Sequence, residues 1–253
     1  MSDRTPDRRT LVTFDPDHFA KAADGRTDPL TAFRYAHRHN LWRGPETASG
    51  PGSSLEQTRA IGAALPSLCR RYRVRSLLDV PCGDFHWMAN VDLTGVQYTG
   101  GDLVPEVVAA AADRYGTPDR RFVTLDLTCS PLPPADLLLC RDCFVHLSHA
   151  DIARAIRNIR VRDITYLLTT TFTGEAAHVD IVTGDWRPVN LEAPPFSFPP
   201  PLALIVENCT EQDGAFADKS LGLWRVSDLP PLDASDSTST NAHADRPLTP
   251  DHR

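Results

Sequence analysis

Four aspartates fall at or near the ends of short apolar runs that are typical of buried strands: Asp79, Asp102, Asp126 and Asp142. In a doubly wound sheet, ligands bind beyond the carboxyl ends of the strands near the topological switch point. A carboxylate after the second run is suited to ribose hydroxyls, and one after the third can accept from an adenine amino group. Only Gly83 stands where a dinucleotide fingerprint needs three glycines. The pattern therefore favours a nucleoside without phosphates over NAD.

A second group of reactive residues, Cys140, Cys143 and His146, has the spacing C-x2-C-x2-H. Structural zinc usually takes four ligands from two spaced pairs, and no second pair is evident, so we predict no metal site. His146 follows Asp142 by four residues and shares a face with it if the segment is helical. Its ordinary pKa suits a general base, but a structural histidine under the fourth strand fits equally. The same two interpretations apply to His86.

Strand-length apolar runs alternate with helical patterns along the chain. The runs cover residues 75–80, 96–102, 121–127, 135–140, 164–172, 202–209 and 219–226. Helix-length segments separate the first five, which indicates βαβ units and parallel pairing. The last two runs lie about ten residues apart, which favours antiparallel pairing. We therefore predict a Rossmann-like, doubly wound α/β fold with a seven-stranded, mostly parallel sheet and an antiparallel last strand. The helix before the first strand is predicted over 54–71, with Ser54 as its N-cap.

Composition limits the class of protein. The 253 residues carry a net charge of -7, which argues against a nucleic-acid partner. No apolar run is long enough to span a membrane, and the N-terminus lacks the apolar stretch of a secretory signal. We therefore expect a cytoplasmic protein whose six cysteines are reduced thiols. Residues 1–28 are predicted to be a flexible arm, 29–228 one domain, and 229–253 a disordered tail.

Proline is in excess, with 22 residues, and six of them fall within 188–201. Because proline fixes φ and removes a hydrogen-bond donor, we predict an ordered extended loop over 183–202 where a crossover helix is expected. The side chains that would give this loop a platform and polar contacts for a substrate are Trp186, Arg187, Asn190, Glu192 and Phe196. The alternative interpretation is a structural cover across the sheet edge.

The stretches LLDVPCGDF, YTGGDL, FVTLDL and LLLCRDCFVHLS resemble the successive cofactor motifs of class I S-adenosylmethionine-dependent methyltransferases. The stretches ETASGPGSSLEQT, CGDFHWM, CRDCFVHLS, TGDWRPVNLEAPPF and DKSLGLW resemble a bacterial branch of that class over about residues 40–228. The resemblance implies the class I methyltransferase fold and S-adenosylmethionine as the cofactor.

The resemblance also assigns cofactor contacts. The methionine end would be lined by the turn after the first strand, that is Asp79, Pro81, Gly83, Asp84 and Phe85. Asp102 would bind the ribose hydroxyls. Leu103, Asp126 and Leu127 would lie at the adenine, and Cys140, Arg141 and Asp142 would lie beside the sulfonium and the methionine amino group.

Further assignments concern the N-terminal segment and the acceptor. Trp42 and residues 49–53 are expected to form a lid, with Thr58 at the cofactor carboxylate, although a flexible linker fits residues 49–53 equally. The family pattern has asparagines where this chain has His178 and Ser197. We therefore expect an altered acceptor site that includes His178.

Three functions follow from these assignments. The first is methyl transfer to a small-molecule or carrier-bound acceptor of bacterial specialised metabolism, with Asp142, His146 or His86 as the base. The second is a methyltransferase fold used for an elimination or a ring closure with a partner subunit. The third is a non-catalytic binding module. We expect no nucleic-acid or membrane partner, and either a protein partner subunit or a homodimer.

Overall fold

The computed structural model of the protein describes residues 18–19, 28–174 and 179–232. Seven strands form one sheet: β1 (Ser76–Asp79), β2 (Gln97–Asp102), β3 (Arg120–Thr124), β4 (Ala135–Cys140), β5 (Ile164–Phe172), β6 (Ala203–Val206) and β7 (Lys219–Arg225). Their order in the sheet is β3-β2-β1-β4-β5-β7-β6. The strand order reverses between β1 and β4, and this switch point is where a cleft opens beyond the carboxyl ends.

The pairing confirms the predicted α/β fold class. The strands β1 to β5 pair in parallel with one another. The last strand, β7, is antiparallel to both β5 and β6. The connection between β6 and β7 holds only a four-residue helix, too short for the crossover that parallel strands require.

Five helices accompany the sheet in the described part of the chain: α1 (Pro29–Arg38), α2 (Arg59–Arg71), α3 (Pro105–Tyr115), α4 (His149–Arg160) and α5 (Glu211–Gly214). The prediction of Ser54 as the N-cap of α2 is wrong, since that position belongs to Thr58. A short 3-10 turn over Pro51–Ser53 leaves Ser54 extended. Its carbonyl accepts from the Thr58 hydroxyl at 2.7 Å, so the helix begins one turn later.

The core lies on both faces of the sheet. Alternate residues of β4 point to opposite sides, with Leu138 packed in the cluster around α4 and Leu137 and Leu139 in the cluster with α2. Burial on both faces explains why these strands are continuous apolar runs, as in other parallel sheets. The rigid sheet fixes the positions of the loops at its carboxyl edge.

The Pro-rich segment 183–202 contains turns and extended chain only. Its backbone is bonded to β5, because Phe172 N donates to the carbonyl of Val189 at 2.8 Å and Leu191 N donates to Thr171 Oγ1 at 3.1 Å. Trp224 Nε1 donates to the carbonyl of Pro199 at 2.6 Å. These contacts replace the hydrogen bonds that a crossover helix would make internally.

The predicted N-terminal arm and C-terminal tail lie mostly outside the described residues. Within the described ranges, none of the helices has the length and apolar character needed to cross a membrane. All six cysteines are free thiols.

Candidate active site

One cavity of about 240 Å³ opens at the carboxyl edge of the sheet. It brings together thirteen of the residues that the sequence singles out: Trp42, Asp79, Pro81, Gly83, Asp84, Asp102, Leu103, Asp126, Leu127, Arg141, Asp142, His146 and Trp186. The N-terminal segment closes one side of the cavity through α1 and residues 48–53. The loops after β1 to β4 supply most of the remainder.

Asp102 organises the nucleoside side of the cavity. Its carboxylate accepts from Val104 N at 2.9 Å and from Gly83 N at 3.2 Å, so it ties the loop after β1 to the loop after β2. Burial raises its pKa, although these backbone donors oppose the shift. Leu103 and Leu127 line the cavity beside it, and they form apolar walls between Asp102 and Asp126.

The turn after β1 is fastened to the N-terminal segment through Asp84. Thr47 Oγ1 and Ser49 Oγ donate to its carboxylate at 2.5 and 3.2 Å. Gly83 has a φ of +53°, and a Cβ there would clash with Ser49 Oγ. The glycine therefore serves both the left-handed backbone and the close approach of the two segments.

Gly83→Ala is expected to destabilise the fold by more than the strain of its backbone alone, because the added methyl group displaces Ser49. Gly95→Ala is the matched control, since Gly95 also has a positive φ of +81° but has nothing within 4 Å. We expect Gly95→Ala to cost about 1 kcal/mol and Gly83→Ala at least twice that. Urea unfolding of both variants measures the difference. Equal losses in the free energy of unfolding would mean that the close approach of Ser49 to residue 83 does not matter for stability.

Asp79 is buried at the end of β1, where the Tyr98 hydroxyl donates to Oδ2 at 2.6 Å. Burial raises the pKa of Asp79 to about 7, against the lowering effect of this hydrogen bond and of Arg141. Near neutral pH the carboxyl group is thus balanced between its two forms, and a cation placed nearby would favour the ionised one.

Four charged side chains form a cluster beyond β4, comprising the buried Arg141, Glu207 and Lys219 and the half-buried Asp142. Arg141 makes two bonds to Glu207, at 2.7 and 3.2 Å, and lies 3.1 Å from Asp142. Lys219 Nζ donates to Asp142 at 2.7 Å and lies 3.5 Å from Glu207. Burial alone would raise the pKa of Asp142, but Arg141 and Lys219 together hold it well below its ordinary value. Asp142 is therefore a weak base.

Glu207→Gln is expected to lower the free energy of unfolding by about 3–5 kcal/mol, because it leaves two buried cations with one carboxylate. The control is Glu106→Gln, at an exposed pair with Arg38, which should leave the urea midpoint nearly unchanged. If both variants unfold at the wild-type midpoint, the cluster contributes nothing to stability.

His146 lies in the lining of the cavity. It ends a 3-10 turn over Phe144–His146, and its Nδ1 lies 2.8 Å from the carbonyl oxygen of Asp185. A carbonyl oxygen only accepts, so Nδ1 carries the proton and the lone pair of the neutral ring is on Nε2. Burial lowers the pKa of His146 to about 4. The ring is thus neutral near pH 7 and able to accept a proton.

Four residues predicted to contact the cofactor or to catalyse lie outside the cavity lining. Cys140 is fully buried in the core at the end of β4. Phe85 is a core residue, packed 5.0 Å from Tyr98 between ring centroids, since its φ of +60° turns it into the sheet. The Thr58 hydroxyl donates its hydrogen bond to the carbonyl of Ser54. His86 Nε2 lies 2.8 Å from Glu46 at the surface.

Of the predicted acceptor contacts within the described part of the chain, only Trp186 lines the cavity. The backbone path of the Pro-rich segment turns Arg187 and Phe196 into the interior, and Asn190 Oδ1 accepts from Glu192 N at 3.0 Å. His178 lies outside the described residues. The segment therefore acts largely as a cover, with one side chain in the cavity.

Sequence reasoning missed several lining residues, including Phe33, Phe172, Phe216, Glu211 and Lys219. A signal for Lys219 existed. Glu207 interrupts the run 202–209, Lys219 begins the run 219–226, and an antiparallel pair brings two such positions together. The aromatic residues carried no comparable signal, since their spacing equally fits core packing.

Residues 78–161 match a family model described as a methyltransferase domain. This match confirms the resemblance to class I S-adenosylmethionine-dependent methyltransferases and supports S-adenosylmethionine as the cofactor. The match does not test the narrower bacterial branch. None of the curated proteins matches the chain.

Solved structures with similar folds include an S-adenosylmethionine-dependent methyltransferase from Clostridium acetobutylicum (12% identity, 46% of this chain and 51% of that chain, TM-score 0.39). The [4+2]-cyclase SpnF has 25% identity over 53% of this chain and 54% of that chain, with a TM-score of 0.43. Human N-acetylserotonin methyltransferase has 14% identity over 82% of this chain and 65% of that chain, with a TM-score of 0.46. The chain spans about half the length of the first two.

Proposed function

We propose that the protein transfers a methyl group from S-adenosylmethionine to an oxygen or nitrogen atom of a small organic acceptor, with His146 as the general base. One observation carries the proposal. A single cavity contains both the carboxylates expected at the nucleoside and a neutral histidine whose lone pair is on Nε2.

The charges of the cavity fit this cofactor. The lining contains seven acidic side chains against two cations, Arg141 and Lys219, and both cations are already paired. The acidic side chains are those of Asp79, Asp84, Asp102, Asp126, Asp142, Asp151 and Glu211. Of the acidic side chains, Asp79 is balanced between its two forms near neutral pH and Asp151 is paired with Arg154. Such a surplus of negative charge favours a cationic ligand, and the sulfonium of S-adenosylmethionine is a cation.

When bound, S-adenosylmethionine supplies a methyl group on a sulfonium, whose sulfur leaves as a neutral thioether. The residues of this chain then have two tasks. Asp102, Asp126 and the loop at Gly83 would hold the nucleoside, and the N-terminal segment would exclude water. His146 Nε2 would take the proton from the acceptor as its oxygen or nitrogen atom attacks the methyl group.

The acceptor side of the cavity is mainly aromatic. Trp42 lies 5.4 Å from the His146 ring, and Trp186 and Phe216 lie 5.1 Å apart, with Phe33 and Phe172 also in the lining. These walls suit a flat apolar molecule whose hydroxyl or amino group reaches His146. A carrier-bound acceptor and a place in specialised metabolism stay predictions.

Calorimetric titration with S-adenosylmethionine, followed by an assay for released S-adenosylhomocysteine with a panel of phenols and aromatic amines, tests the proposal. We expect micromolar binding and acceptor-dependent release. Binding without release for any acceptor would favour the elimination or ring-closure alternative. Absence of binding would overturn the proposal and favour a non-catalytic module.

A further inference from the structure

The first part of the Pro-rich segment, residues 183–187, is bonded along its length to the turn that carries His146. We call these five residues the strap. Gly184 N donates to the carbonyl of His146 at 2.8 Å. The carbonyl of Asp185 accepts from the imidazole Nδ1, also at 2.8 Å. The strap therefore holds both the backbone and the ring of the histidine.

Arg187 makes the strongest part of this attachment. Its Nη1 donates to the carbonyl of Phe144 and its Nη2 to the carbonyl of Leu147, each at 2.8 Å. Its backbone N donates to the carbonyl of Val145 at 3.0 Å. The planar guanidinium thus spans the turn and bonds the residues on both sides of His146, a geometry that a lysine ammonium cannot reproduce.

The position of Arg187 shows that this attachment is its main role. The residue is only 7% exposed and lies outside the cavity lining. Burial lowers the pKa of its guanidinium to about 10, so a charge is kept inside the protein at an energetic cost. Two carbonyl oxygens of the turn at His146 stabilise that charge, and the carboxylate of Asp180 also favours it.

We propose that Arg187 is a positioning residue, which fixes residues 144–147 so that His146 keeps Nδ1–H on the Asp185 carbonyl and its lone pair on Nε2. The identification of His146 as the base rests on the proposed function. Trp186, on the same strap, lines the cavity. One short segment therefore sets both the base and a wall of the acceptor site.

Arg187→Lys tests the inference, because it keeps the positive charge and removes the planar guanidinium that bonds two carbonyls at once. Nitrogen-15 NMR of labelled histidine reports the tautomer and pKa of His146 whether or not the protein methylates anything. We expect wild-type His146 as the Nδ1–H tautomer, and in Arg187→Lys a mixture of tautomers with a pKa shifted towards its ordinary value of 6.5. The charged groups that face the ring are Asp142, residue 187 and Lys219, and all three keep their charges in this variant.

With an accepted substrate, kcat should fall about 10- to 100-fold, while the affinity for S-adenosylhomocysteine stays unchanged. Arg157→Lys is the matched control, since Arg157 also donates to a backbone carbonyl, that of Leu232 at 2.9 Å, but away from the cavity. It should leave the tautomer, the pKa and kcat unchanged.

Wild-type His146 as the Nε2–H tautomer would overturn the inference without any variant. So would a folded Arg187→Lys protein in which the tautomer and pKa of His146 are unchanged. If the NMR result is as expected but no acceptor is methylated, the positioning role stands and only the proposed function fails.

Discussion

Asp102→Ala is expected to weaken the binding of S-adenosylhomocysteine by about 1–3 kcal/mol, which is roughly 5- to 150-fold in Kd. Two losses contribute. The ribose hydroxyls lose their acceptor, and Gly83 N and Val104 N lose the carboxylate that ties their loops together. Calorimetry with the product analogue measures the affinity without turnover.

The matched control is Asp136→Ala. Asp136 also organises backbone, because its Oδ2 accepts from Arg75 N at 2.8 Å and from Ser76 N at 3.0 Å, but it does so at the amino end of β1. Its loss should lower the urea midpoint and leave Kd unchanged. If the two variants weaken binding equally, Asp102 acts only through stability and its role at the ribose is wrong.

The sequence predicted the sheet well because burial on both faces produces uninterrupted apolar runs. The predicted bounds of 135–140 and 164–172 coincide with β4 and β5. The first residue of a helix was harder to predict, since several residues around 54–58 can act as the N-cap. The choice of Thr58 depends on the 3-10 turn at Pro51–Ser53, which forms only against the rest of the fold.

The site was predictable where it depends on strand ends and unpredictable where it depends on a loop path. Asp79, Asp102 and Asp126 meet because the carboxyl ends of parallel strands share one edge of the sheet. No periodicity governs an extended Pro-rich segment. The direction of each of its side chains is set by tertiary hydrogen bonds, and these place Trp186 in the cavity but Arg187 in the interior.

His146→Gln is expected to reduce kcat by about 10²- to 10⁴-fold, the usual contribution of a general base, while the affinity for the cofactor is retained. The glutamine amide is similar in size to the imidazole but has no basic nitrogen. The control is His86→Gln, since His86 is paired with Glu46 at the surface and lies outside the cavity lining. It should leave kcat unchanged, and equal losses in both variants would exclude His146 as the specific base.

The pH dependence separates His146 from a solvent-exposed base. Its pKa in the folded protein is about 4, against an ordinary value of 6.5. With an acceptor that stays in one protonation state over this range, kcat should therefore remain on its plateau at pH 6.5, where an exposed imidazole would be half protonated. An acid limb centred at 6.5 would contradict a desolvated, neutral ring.

The same shift affects stability in a direction that can be checked without a substrate. Between about pH 4 and 6.5 the unfolded chain holds the proton on His146 more tightly than the folded protein. The free energy of unfolding therefore falls as the pH is lowered through this window. His146→Gln removes that contribution, so the wild-type protein and the variant should differ in the pH slope of their urea midpoints below 6.5 and have parallel slopes above it. Parallel slopes throughout would mean that His146 titrates normally, and the proposal of a desolvated, neutral base would then lose its physical support.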